Sequence, residues 1–175
     1  MLFRGVSAEY WPLNKLVSKF GDSAVSVFHL EHGLHTKNGP NIYDLQPKPP
    51  LRPKALPKCI IFADMPLAPV PDYARKMIAD SVNAGADFII LNGFFTLNKG
   101  CFKGSELEKL LPVTVDDPWM SVQVKPGSKT LFENGKPAAV YHQYGKGRVF
   151  AITCHPESFP VTHFLVRAAF RYVTG

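Results

Sequence analysis

The sequence predicts an α/β domain built on a mostly parallel sheet, with an antiparallel hairpin attached. Two apolar runs without alternation, Cys59–Ala63 and Phe88–Leu91, read as strands covered on both faces. An amphipathic segment lies between them, so strand, helix and strand form the expected right-handed parallel unit. Farther on, Glu133-Asn134-Gly135-Lys136 separates Thr130–Phe132 from Ala138–Tyr141. Asn-Gly there suits the positive φ angles of a type I′ hairpin turn.

In chain order, Met1–Val6 is short and partly apolar, either a first strand or a leader into the next helix. Leu13, Leu16, Val17 and Phe20 recur at helical spacing, with Pro12 in the first turn and Gly21 where a left-handed cap belongs. Val25–Leu30, β-branched and aromatic, reads as a strand. From Glu31 to Lys58 the pattern stops: His32, His35 and the prolines at 40, 47, 49, 50, 53 and 57 predict a connector without regular structure. It should be flexible and the first place a protease cuts. His29, His32 and His35 have no carboxylate or cysteine at ligand spacing beside them, so no metal site is expected.

After the Cys59–Ala63 strand, Asp72 caps a helix whose apolar face is Ala74, Met77, Ile78 and Val82, and Gly85 ends it. Ser105–Leu110 makes a short helix stopped by Pro112. Tyr144-Gly145-Lys146-Gly147 is a second turn, leading into a last strand, Arg148–Thr153. Phe159–Val173 is a closing helix, apolar on most sides. There is no internal repeat, and a single domain over residues 1–175 is expected.

At 175 residues, with 46% hydrophobic and 19% charged, the chain is long enough for a real core. No apolar run approaches the ~20 residues that a spanning helix needs, so no membrane role is expected. The first residues lack an export signal, which points to the cytoplasm. Cys59, Cys101 and Cys154 include no Cys-x-x-Cys pair, which argues against disulfides and structural zinc. The net charge of +6 is spread thinly, with Lys48, Arg52, Lys54 and Lys58 in the connector, so nucleic acid is not an expected partner.

The stretch Asp87–Gly104 carries the strongest functional signal, because its apolar run ends abruptly at Asn92-Gly93. In parallel sheets ligands sit outside the carboxyl ends of strands. Asn92, Gly93, Phe94 and Gly100 are therefore expected to line a cleft for a small molecule, with Asp64 at the end of the preceding strand. The plainer alternative makes these glycines turn punctuation.

The order of elements, closing with Val149–Thr153, Cys154-His155-Pro156-Glu157 and a last helix, resembles the class I glutamine amidotransferase-like superfamily. The resemblance implies a flavodoxin-like three-layer sandwich. In that family an elbow cysteine attacks the glutamine amide, a histidine serves as its base and a glutamate orients the histidine. Carried over, His155 is the base and Glu157 the orienter. The family's elbow reads Gly-x-Cys-x-Gly, whereas Asn92-Gly93-Phe94-Phe95-Thr96-Leu97 has phenylalanines at the cysteine's place and no second glycine. Glutaminase activity is therefore not expected. GFFTLNKGCFKGSELEKLLPV and YGKGRVFAITCHPE look most like the cysteine-less trehalose-utilisation (ThuA-like) branch.

The leading expectation is a ligand-binding or carbohydrate-related domain that needs no cofactor. One alternative is a cysteine hydrolase or amidotransferase using Cys101 or Cys154 with His155 and Glu157. Another is a non-catalytic interaction subunit. In the plainest reading His155 and Glu157 only close a strand–helix junction, the carboxylate favoured by the helix N-terminus. A homodimer is expected through the closing helix or Tyr10-Trp11.

Overall fold

Main-chain donors and acceptors buried in a sheet must be paired, and here the pairing joins segments from residue 2 to residue 152. The computed structural model describes residues 2–4, 27–29, 33–35, 57–63, 70, 72–91, 97, 102–115, 122–133 and 135–153. In chain order its elements are β1 (Leu2–Arg4), β2 (Val27–His29), β3 (Gly33–His35), β4 (Cys59–Ala63), α1 (Asp72–Ala84) and β5 (Asp87–Leu91). A 3-10 turn (Glu106–Lys109), β6 (Val113–Val115), β7 (Val122–Val124), β8 (Lys129–Glu133), β9 (Lys136–Tyr144) and β10 (Gly147–Ile152) follow.

Among the described residues, eight strands make one mixed sheet in the order β3-β2-β1-β4-β5-β10-β9-β8, and β6 with β7 makes a separate ribbon. The middle five, β2, β1, β4, β5 and β10, are mutually parallel. β3 pairs antiparallel to β2 at one end, and β9 and β8 extend the other end antiparallel. The class is α/β, as expected.

The strongly patterned elements fall where periodicity put them. β4 spans Cys59–Ala63, α1 starts at Asp72, and Gly85 follows it with φ of 126°. The Asp72 carboxylate, however, meets Arg75 Nη1 at 3.2 Å, an i,i+3 pair on the first turn between an exposed aspartate and a partly buried arginine. The hairpin closes between Glu133 and Lys136, with Gly135 at φ of 76°. The second turn closes between Tyr144 and Gly147, with Gly145 at φ of 58°.

One short element decides between two readings of the sequence, and others correct it. Met1–Val6 contributes a strand inside the sheet, β1, between β2 and β4. The stretch read as wholly irregular from Glu31 contains β3, which folds back on β2. The β6–β7 ribbon went unread because three-residue strands offer too few positions for alternation to register. The expected helices at 13–20 and 159–173 lie outside the described residues, as do residues 36–56 of the connector.

The core lies on the α1 side of the sheet. Ala74, Ile78 and Val82 of α1 pack with Ile60, Phe62, Phe88, Ile90, Val149 and Ala151. Phe62 and Phe88 meet edge to face with centroids 5.3 Å apart. The alternate residues Ile61, Ile89, Leu91, Phe150 and Ile152 are buried too, so the central strands are covered on both faces. That two-sided burial is why β4 and β5 lack alternation.

Candidate functional site

Parallel pairing puts all strand exits on one side, and register fixes how level they are. His29, Arg4, Ala63, Leu91 and Ile152 are successive Cα partners across β2, β1, β4, β5 and β10. They form one line along the carboxyl edge. With neighbouring strands ~4.8 Å apart, Ala63 and Ile152 stand roughly 10 Å from each other.

Of the expected site residues, Asp64 directly follows Ala63, and Asn92, Gly93 and Phe94 directly follow Leu91. These four, together with Gly100, Cys101, Cys154, His155 and Glu157, lie outside the described residues. The described strands that lead into them end side by side on that one line.

The loop expected to line the cleft is tied to the core at two points. Leu97 is fully buried, and Phe102 is buried with its ring centroid 6.5 Å from that of Phe62. Gly104, at φ of 75°, donates its N–H to Glu108 Oε2 at 2.7 Å, so its left-handed conformation turns the chain into the 3-10 turn. The chain after it is strapped down. Glu108 O accepts from Lys125 Nζ at 2.8 Å, and Leu110 O lies 2.7 Å from His142 Nε2. Pro112 O accepts from Lys125 N at 2.9 Å and from Ser128 Oγ at 3.2 Å. Burial lowers the Lys125 pKa, and the nearby Glu108 carboxylate partly offsets this.

The exit of β10 is held in the same way. Thr153 is buried, its N–H donates to Ala138 O at 2.9 Å, and its hydroxyl donates to Pro137 O. Both bonds reach β9, immediately before Cys154-His155 in the chain.

Cys59 is the one cysteine among the described residues. It stands at the amino end of β4, paired in register with Asp87, so the length of the strand separates it from the carboxyl edge. Burial pushes its thiol up to about 12. Such a thiol is not a nucleophile at neutral pH. A thiol mechanism would need Cys101 or Cys154.

Sequence reasoning did not place Arg4 and His29 on the line of strand exits, His29 having entered it only beside His32 and His35. The available signal was weak: Leu2-Phe3 is an apolar pair bounded by Arg4-Gly5, too short to separate a strand from a leader. Among the described residues no three His, Cys, Asp or Glu side chains converge as a metal site, and no helix is long and apolar enough to cross a membrane.

No family model matches the chain, and no curated protein matches it. Solved structures do. The cytoplasmic protein STM3548 from Salmonella typhimurium superposes with a TM-score of 0.63 at 14% identity, over 96% of this chain and 96% of that one. The cytoplasmic protein STM1381 from Salmonella typhimurium LT2 gives a TM-score of 0.63 at 17% identity, over 98% and 96%. At these identities the likeness is one of fold.

Proposed function

We propose that this chain is a class I glutamine amidotransferase-like domain of the ThuA-like, cysteine-less branch. It binds a small, carbohydrate-related molecule at the carboxyl edge of its sheet and releases no ammonia from glutamine. The observation that carries the reading is the line His29-Arg4-Ala63-Leu91-Ile152. Numbered among themselves in chain order, the five parallel strands run 2-1-3-4-5, the order used by flavodoxin-like sheets. Ligands in such sheets bind where the succession reverses, here between β1 and β4, next to the start of the Asp64 segment.

Burial on both faces of β4 and β5 supports a three-layer arrangement, for which the sequence offers amphipathic segments at 13–20 and 159–173. The antiparallel β8–β9 hairpin beside β10 agrees with the same family order. A cytoplasmic location fits a chain that shares its fold with the two Salmonella structures above, both described as cytoplasmic proteins. Within this reading, Asp64, Asn92, Gly93, Phe94 and Gly100 contact the ligand. His155, oriented by Glu157, supplies an imidazole without a thiol partner.

Two measurements test the proposal. Purified protein incubated with glutamine should release no ammonia above background; activity abolished by a cysteine alkylator would overturn the dead elbow. Thermal-shift titration with mono- and disaccharides and their acids should raise the melting temperature in wild type and not in His155→Ala. Identical shifts in both proteins would remove His155 from the site.

A further inference from the structure

We propose that β8 is a self-association edge: two copies of this chain pair through it, antiparallel about a two-fold axis at Leu131, into one continuous sheet. β8 ends the strand order, and among the described residues it is paired on one side only, to β9. Leu131 is 50% exposed, and Tyr73 on α1 is the other large hydrophobic side chain left so open among the described residues. Lys129, two positions before it on the strand, is exposed as well.

An open edge strand is a template for a further strand, and a lysine on it ordinarily deters pairing. Here the lysine fits a partner. The strand reads Lys129-Thr130-Leu131-Phe132-Glu133, which complements itself when reversed. A register centred on Leu131 sets Lys129 opposite the partner's Glu133, and Glu133 opposite the partner's Lys129. Thr130 then falls opposite the partner's Phe132, and the two Leu131 residues meet at the axis. Opposite charges and apolar residues directly across an antiparallel pair are the combinations that stabilise it. The register shift between Leu131 and Phe132 leaves its extra residue, Ala138, on β9, so β8 itself offers a run of only five residues without a bulge of its own. The contact is therefore short, well below the ~800 Å² per partner of a stable complex, and association depends on concentration.

Sedimentation equilibrium of the full chain over a wide concentration range tests this, with thermal melting of each variant as a check on folding. Wild type should show a monomer–dimer equilibrium that weakens with salt. K129E and E133K should each weaken it about tenfold or more, because each puts like charges opposite one another at both ends of the pairing. The double variant K129E/E133K should restore it, and L131E should abolish it. A wild-type chain that stays monomeric at every concentration overturns the proposal. So does a dimer indifferent to K129E and L131E, which would lie on another face, or a folded double variant that fails to recover association.

Discussion

Arg148 grips Asp87 across β5 and β10 with two parallel hydrogen bonds, Nε to Oδ1 and Nη2 to Oδ2, each 2.8 Å long. The aspartate is 5% exposed and the arginine side chain 35%. Both residues stand one position before the first registered pair of these strands, Phe88 and Val149. The pair therefore fastens the amino edge of the sheet, opposite the line of strand exits. Arg148→Met should leave a buried carboxylate without its fork and destabilise the fold by about 2–4 kcal/mol. Chemical denaturation measures this. Ligand-induced thermal shifts at the far edge should persist in the variant, which separates a fastening role from a functional one.

Gly147→Ala should be more damaging than its size suggests. A Cβ at this position would overlap the carbonyl oxygens of Ala86 and Val82, where the β9–β10 turn docks on the end of α1. Lys146 N–H donates to Asn83 O at 3.1 Å in the same contact. Backbone atoms cannot step aside as a flexible side chain can, so the expected loss is about 3 kcal/mol, at the upper end for overpacking. Gly127→Ala is the control: it meets no neighbouring atom within 4 Å, and only its positive φ of 80° opposes the change. A Gly147→Ala variant that melts like Gly127→Ala would contradict the contact.

Cys59 should make stability fall with rising pH in alkali. Its thiol pKa is raised from 9.0 to about 12 in the folded chain, chiefly by burial. The folded state then holds the proton more tightly than the unfolded state across that interval. Its contribution is complete below about pH 9 and is lost as the pH climbs toward 12. Lysines and tyrosines also titrate there, so the measurement is the difference in pH slope between wild type and Cys59→Ala. Equal slopes would show that the thiol is not desolvated.

His155→Ala distinguishes the two roles open to that histidine. If it serves a ligand, the variant should melt at nearly the wild-type temperature while ligand-induced shifts vanish. If it only closes a strand–helix junction, losing its hydrogen bond should cost about 1–3 kcal/mol and leave ligand binding in place. Calorimetry with and without ligand reads both quantities from one pair of proteins.

Much of the fold was legible because burial leaves a local signature. Phe88–Leu91 lacks alternation since both faces of β5 are covered, and the α1 residues Ala74, Ile78 and Val82 repeat at the helical period since one face meets the sheet. Glycines at turns were equally legible, because Gly85, Gly135 and Gly145 occupy positive φ. β1 and β3 were not. Three residues carry too little pattern, and for β1 the strand conformation comes from neighbours distant in the chain: Leu2 pairs with Val27 and with Ile61.

By itself, then, the sequence determined the α/β class, the bounds of β4 and α1, the β8–β9 hairpin turn and the segments that leave the carboxyl ends of the strands. Only the tertiary structure decided that β1 lies between β2 and β4, that Arg4 and His29 stand level with Ala63 and Leu91, and that Cys59 pairs with Asp87 at the amino edge. It also chose Arg148 for Asp87, 61 residues away, and His142 for the carbonyl of Leu110, 32 residues away. The reason is physical. Side-chain periodicity encodes which face of an element is buried, whereas the main-chain groups that join one strand to the next are nearly the same at every residue and carry no address.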